Sequence, residues 1–208
     1  MMDNYLISLV LIFVLHYFDP SEECSCIQGH LQNVFCDENR FVIKVNVLNS
    51  VVIPNAQSPG NGQRKITVHI LKDYKNNVPG GQITLNTAEA EATCGVTLTD
   101  GQCYVLGGQI QQGSPDTYAI NLCNFIMSCD QLTDFQNNAL QTGRYRKACK
   151  HGCDVFFDFT GELPEGVNGC VYNLTNPDCF RNYGICTASC RGNTCSWEFD
   201  PDHNCLNS

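Results

Sequence analysis

The most chemically specific spacing in the chain is Cys24-Ser25-Cys26. In an extended segment side chains alternate, so the two cysteines point to one side and Ser25 to the other. With both cysteines bridged to the body of the protein, Ser25 would project outward on a segment with little freedom left to lose. That is preorganisation for entry into a partner's pocket. The same spacing equally serves two ordinary bridges that hold down a terminus, and spacing alone leaves both readings open.

Other candidate groups are weaker. Cys149 and Cys153, and Cys186 and Cys190, have the C-x3-C spacing that a zinc site can use. In an oxidising compartment such cysteines are more readily disulfide partners. The five histidines are His16, His30, His69, His151 and His203, and none belongs to an H-E-x-x-H pair. His69 lies within a strand pattern and reads as a barrel residue, not a base. The sequence has no G-x-S-x-G, P-loop or dinucleotide fingerprint. These motifs give no basis for an enzyme.

The chain of 208 residues carries 15 cysteines, all at or after Cys24. Such density belongs where disulfides persist, outside a reducing cytosol. Tyr5 to Leu15 is an apolar run too short to span a bilayer but suited to the core of a signal peptide, which would occupy residues 1–23. Met1 to Asn4 carries no positive charge, and Glu23 would directly precede the cut. No other long apolar run follows, so the expectation is a secreted, extracellular protein. Asn173-Leu174-Thr175 is the single glycosylation sequon. The formal net charge of -9 argues against nucleic acid or an anionic membrane as the main partner. Residues 24–149 hold nine acids and nine bases, whereas residues 150–208 hold eight acids and three bases. The acidity of the mature chain therefore sits near its C-terminus, as a solvated face or a surface that selects a partner.

The positioning elements read as mainly β. Phe41 to Leu48 and Lys65 to Leu71 show strand patterning. Shorter runs follow at Ile83–Leu85, Gly95–Leu98, Tyr104–Leu106 and Tyr118–Leu122. Turn clusters separate them at residues 58–62, 76–81, 99–101 and 113–116, which points to a barrel or sandwich. A helix is expected from about Thr133 to Lys147. Thr133 and Gln136 have capping-box spacing, and Leu132, Phe135 and Ala139 can share a face. After Cys149 periodicity fades, so residues 150–208 read as a small unit held by bridges more than by a large core.

The motifs CSC (24–26), FC (35–36), FVIKVNV (41–47), TCGVTL (93–98), YVLGGQI (104–110), INLCNFI (120–126) and RYRKAC (144–149) occur in this order. CVYNLTNPDC (170–179) and CSWEF (195–199) follow. Together they resemble the tissue inhibitors of metalloproteinases over nearly the whole chain after the signal. The resemblance implies a netrin-like inhibitory domain at 24–149 with the OB fold, a five-stranded closed barrel with flanking helices. A small disulfide-rich C-terminal domain at 150–208 would follow. It further implies the pairings Cys24–Cys94, Cys26–Cys123 and Cys36–Cys149, and, in the C-terminal part, Cys153–Cys195 and Cys179–Cys186. Cys103 and Cys129 are outside the usual pattern but fall in matched regions, so they are expected to bridge each other. Cys170, Cys190 and Cys205 then remain, and an odd total leaves one of the three free or paired between chains.

The function implied is inhibition of a matrix metalloproteinase-class or related zinc endopeptidase. The amine and carbonyl of Cys24 would chelate the target's zinc, and Ser25 would enter the primed-side pocket. Cys26, Ile27 and Gln28 would continue along the cleft, and Ala92, Thr93 and Cys94 would form the adjoining ridge. Gln28 stands where the family commonly has proline, and Ser25 where a larger threonine is usual. The protein would need no cofactor of its own and would act as a monomer, with extracellular matrix as a further partner. A residue left before Cys24 would turn its amine into an amide. The chain would then be a netrin-like extracellular binding module without protease inhibition.

Overall fold

The structure is a computed structural model that describes residues 24–26, 29–58, 60–113, 116–157, 162–163, 165–172, 176–189, 194–203 and 205. The expected signal peptide at 1–23, Ile27, Gln28, Asn173 and Cys190 lie outside these residues.

The barrel is organised around one long strand. β1 (Arg40–Ile53) is rich in β-branched residues, and Phe41, Ile43, Val45 and Val47 alternate into the barrel core. It pairs antiparallel with β2 (Gln63–Asp73) along one edge and with β4 (Cys103–Gln111) along the other. β2 continues to β3 (Gln82–Ala88), which pairs in parallel with the short β5 (Thr117–Ala119). β5 pairs with β4, so the ring β1-β2-β3-β5-β4 closes on itself, and β6 (Ile126–Ser128) adds along β4. The result is the five-stranded OB barrel that the resemblance implied. Closure removes the exposed edges that an open sheet would offer to other chains. Ile66, Val68, Leu85, Leu106 and Ile120 complete the apolar interior. Gly108 on β4 is required there, because a Cβ would collide with the Phe41 ring and the Ala119 carbonyl.

Residues Gly95–Leu98, expected as a strand, belong to none. Val96 and Leu98 are buried and Thr97 is exposed, so the alternation is real, but no neighbouring strand supplies a ladder. The Val96 N–H instead donates to Thr87 Oγ1. The expected helix over 133–147 is two helices, α2 (Asp134–Thr142) and α3 (Arg144–Lys150). The Thr133–Gln136 capping box is present, and Gly143 at φ 70° ends α2 in the left-handed conformation that glycine adopts without a steric penalty.

A six-residue helix not anticipated from sequence, α1 (Leu31–Cys36), lies between the Cys24 segment and β1. Leu31, Val34 and Phe35 form its apolar stripe and pack outside the barrel with Val42, Tyr145 and Ala148. Lys75 donates from Nζ to the carbonyls of Val34 and Asp37, at 3.0 and 2.5 Å, and so satisfies two acceptors at the end of α1.

After α3 come β7 (Asp154–Phe157), β8 (Gly169–Tyr172), α4 (Pro177–Tyr183), β9 (Gly184–Ala188) and β10 (Cys195–Phe199). β7 and β8 pair in parallel, and β9 and β10 antiparallel. This region has more core than expected. Phe180 packs edge-on against Trp197 and Phe199, with ring centroids 5.1 Å apart in each case. Tyr172, Phe180 and Ile185 share one apolar cluster with Leu31, Phe35 and Tyr145. The packing therefore runs continuously across Cys149.

Seven disulfides join the described cysteines. Cys24–Cys94, Cys26–Cys123, Cys36–Cys149, Cys103–Cys129 and Cys153–Cys195 are formed. The expected Cys179–Cys186 pair is not. β9 carries Cys186 into the buried core, 5.7 Å Cα to Cα from Cys170, while Cys179 on α4 pairs with Cys205 at 5.6 Å. Two bridges thus replace one, and Cys170 and Cys205 are both accounted for.

Candidate functional site

Three segments meet at the Cys24 end of the molecule. The first is Cys24-Ser25-Cys26, in which Cys24 is partly buried while Ser25 and Cys26 are exposed. The second is a ridge after β3, a single 3-10 turn at Glu91–Thr93 that leads into Cys94. The third is the loop Asn121–Asn124. Cys24 is tied to the ridge through Cys94, and Cys26 to the loop through Cys123, with Cα separations of 5.1 and 5.4 Å. The Leu122 N–H donates to the Cys94 carbonyl at 3.0 Å and joins ridge to loop. The exposed segment is thus held at both cysteines by two surfaces that are also held to each other.

The ridge has a defined shape. The Ala90 carbonyl accepts from the N–H groups of Thr93 and Gly95 and from the Thr93 hydroxyl. Cys94 follows at φ 62° and ψ 23°, a left-handed conformation that is uncommon outside glycine and persists where surrounding contacts over-determine it. Ala92 and Thr93 are exposed on top. The loop is equally regular: Asn124 Oδ1 accepts from the Asn121 N–H at 2.8 Å, and Asn121 Oδ1 from the Cys123 N–H at 3.0 Å.

Behind Cys26 the chain is anchored a second time. His30 and Gln32 are both fully buried. His30 caps α1 by accepting from the Gln32 N–H at Nδ1, and its Nε2 lies 3.1 Å from the Gly184 carbonyl. These contacts define Nδ1 as acceptor and Nε2–H as donor, the neutral tautomer. Burial lowers its pKa to about 4. Gln32 Nε2 donates to the carbonyls of Cys153 and Cys186 at 2.5 and 2.9 Å, and its Oε1 accepts from the Cys186 N–H at 3.0 Å. The start of the chain is therefore clasped by backbone from β9 and from the entry to β7.

The chemistry available is that of backbone and hydroxyl groups. Two clusters bring three cysteine sulfurs together, Cys24/Cys26/Cys123 and Cys153/Cys186/Cys195, but each of these sulfurs is in a disulfide and none can ligate metal as a thiolate. Neither C-x3-C pair is a zinc site: Cys149, Cys153 and Cys186 each bridge elsewhere. His69 is exposed on β2, and His203 stacks on Tyr183 with ring centroids 3.6 Å apart.

Of the residues singled out from sequence, Cys24, Ser25, Cys26, Ala92, Thr93 and Cys94 are brought into one edge. The Asn121–Asn124 loop and the His30–Gln32 clasp were not anticipated. Apolar residues at 31, 34 and 35 carried a short helical signal for α1. Nothing local signalled the partners of Gln32, which lie 121 and 154 residues away.

Among the described residues no helix is long and apolar enough to cross a membrane. The chain is 26% identical over 188 residues to the fruit fly (Drosophila melanogaster) protein "Tissue inhibitor of metalloproteinase", covering 87% of this chain and 82% of that protein. It is 30% identical over 142 residues to Xenopus laevis "Metalloproteinase inhibitor 3", covering 67% of this chain and 62% of that protein. Against human "Metalloproteinase inhibitor 2" it is 27% identical over 147 residues, covering 69% of this chain and 66% of that protein. The family "Tissue inhibitor of metalloproteinase" matches residues 22–197, from just before the cysteine-anchored edge to β10. With barrel, edge and match coinciding, the chain belongs to the tissue inhibitors of metalloproteinases, a family of inhibitors and not of enzymes.

Proposed function

We propose that this chain is a secreted inhibitor of zinc endopeptidases of the matrix metalloproteinase or a related class. It presents the backbone of Cys24 to the target's catalytic zinc. A catalytic zinc keeps one position open for water. The α-amino nitrogen and carbonyl oxygen of Cys24 would take that position and displace the water. An unperturbed α-amine has a pKa of about 7.7–8, so losing its proton near neutral pH costs little. Ser25, exposed and flanked by two bridged cysteines, enters the primed-side pocket, while Ile27 and Gln28 continue along the cleft. Ala92, Thr93 and Cys94 form the neighbouring contact. No covalent step is involved, and the zinc belongs to the protease.

The observation that carries the reading is the double tether of an exposed segment, with Cys24 to the ridge and Cys26 to the 121–124 loop. Ordering costs that association would otherwise impose are met during folding. The family relationship supports a metalloproteinase as the target.

The test is the state of the Cys24 amine. The mature secreted protein should begin at Cys24 and inhibit a matrix metalloproteinase catalytic domain. A variant with one alanine added before Cys24 should lose inhibition by at least about a hundredfold, since a ligand to the metal is lost. Its circular dichroism and thermal midpoint should be unchanged. Undiminished inhibition by the extended variant rejects chelation. A natural chain beginning before Cys24 leaves the alternative, a netrin-like binding module that acts on a receptor or matrix protein.

A further inference from the structure

The ridge is held from behind by a contact that the proposed chelation does not require. Where β3 ends, Glu89 and Gly62 exchange two hydrogen bonds. The Glu89 N–H donates to the Gly62 carbonyl, and the Gly62 N–H donates to Glu89 Oε2, each at 3.0 Å. Arg64 on β2 donates from Nη2 to the Glu89 carbonyl at 3.3 Å and from Nη1 to Ser50 Oγ on β1 at 3.5 Å. Gly62 is buried, and a Cβ there would collide with Glu89 Oε2 and the Ile53 carbonyl, so the approach requires glycine. The next residue, Ala90, supplies the carbonyl that accepts from the Thr93 N–H, the Thr93 hydroxyl and the Gly95 N–H, while the Cys94 N–H donates to the Glu91 carbonyl. On the far side Gly95 is also buried, and a Cβ would collide with the carbonyls of Ala88 and Ala90.

We propose that Glu89 is a positioning residue of the inhibitory edge. By locking the base of the ridge to the β1–β2 hairpin it fixes the left-handed Cys94 and, through the Cys24–Cys94 bridge, the orientation of the Cys24 backbone. The hydrogen bond from the Gly62 N–H to Glu89 Oε2 is half-buried, where water competes less. Without it the base of the ridge keeps its backbone bond to Gly62 and the Arg64 contact but loses the carboxylate half of the exchange. The turn that leads into Cys94 is then less firmly held, and with it the sparsely populated conformation of that residue. The role needs an acceptor oxygen at this place, not a negative charge toward the protease, because Oε2 is aimed at Gly62. The inference rests on the inhibitory reading above for its consequence, but not for its geometry.

The experiment compares Glu89→Ala and Glu89→Gln with the unaltered full chain in two assays. The first is amide hydrogen exchange of the free protein, followed at Cys94, Gly95 and Leu122 and at barrel residues such as Val45 and Val68. The second is inhibition of the isolated catalytic domain of a matrix metalloproteinase. Glu89→Ala should speed exchange of the ridge amides about tenfold and weaken inhibition about tenfold, while barrel amides stay protected. Glu89→Gln keeps an acceptor oxygen and should return both to within about threefold of the unaltered protein. The proposal is overturned if Glu89→Ala leaves ridge exchange unchanged, or if ridge and barrel amides accelerate alike. It is also overturned if Glu89→Gln behaves as Glu89→Ala does, which would assign the effect to charge. Should the unaltered chain fail to inhibit, the chelation reading falls and the exchange comparison still decides whether Glu89 holds the ridge.

Discussion

Replacement of Gln32 by leucine tests how strongly the start of the chain is built into the rest of the fold. Leucine has a similar volume and the site is fully buried, so the change removes hydrogen bonds with little change in packing. Three backbone groups lose their partner: the Cys153 carbonyl, the Cys186 carbonyl and the Cys186 N–H. A buried polar group left unsatisfied costs about 1–3 kcal/mol. Partial relaxation and entry of water reduce a simple sum, so the expected loss is about 3–5 kcal/mol. That is a large share of the roughly 5–15 kcal/mol that separates folded from unfolded domains. Urea unfolding with all disulfides intact measures it, because Trp197 is the only tryptophan and lies 5.5 Å from the His30 ring. Its fluorescence reports the core that Gln32 borders. Inhibition measured well below the unfolding midpoint should stay within about threefold, since the bridges at Cys94 and Cys123 still hold Cys24 and Cys26. A stability loss under about 1 kcal/mol would refute the clasp, for it would mean that water or a backbone shift satisfies all three groups at no cost.

Two further outcomes follow from burial and from loop closure. His30 is depressed from 6.5 to about 4 by burial, so between these values the unfolded chain binds a proton that the folded chain does not. Its contribution is complete above pH 6.5 and is lost as pH falls toward 4, by about 3 kcal/mol in total. Urea midpoints measured from pH 7 to pH 4 should show this decline, and proton NMR should find the His30 ring neutral at pH 5.5. Replacing Cys103 and Cys129 together by serine opens a loop with a sequence separation of 26 residues. The expected loss is about 3–4 kcal/mol in the chain-entropy account. Calorimetry should record a lower thermal midpoint while inhibition is unchanged, because neither residue belongs to the edge.

The local features of this protein were legible from its residues because they arise from short-range physics. The Phe41–Leu48 and Lys65–Leu71 patterns became β1 and β2, since alternating β-branched residues suit a pleated half-buried surface. The Thr133–Gln136 box started α2 as its spacing dictates. Motif order along the chain, more than any single motif, carried the family and with it four of the seven bridges, while Cys103–Cys129 was expected from two cysteines outside the family pattern that fall in matched regions. Cys24-Ser25-Cys26 stood out by spacing, but spacing could not tell a tied-down terminus from a presented one.

Tertiary structure decided what depends on groups far apart in sequence. Gly95–Leu98 has the alternation of a strand and is none, because no strand lies alongside to complete a ladder. Cys186 paired with Cys170 and not with Cys179, because β9 buries it beside β8. Residues after Cys149 have a core that is continuous with the one formed by α1 and α3. The left-handed Cys94, the Glu89–Gly62 exchange and the clasp on Gln32 are likewise invisible in a linear reading. Each uses backbone groups, which every residue carries, so their placement is set by the fold and not by residue type. The sequence alone thus determined which cysteines flank Ser25, and the fold determined that the segment is tethered at both cysteines with Ser25 exposed between them.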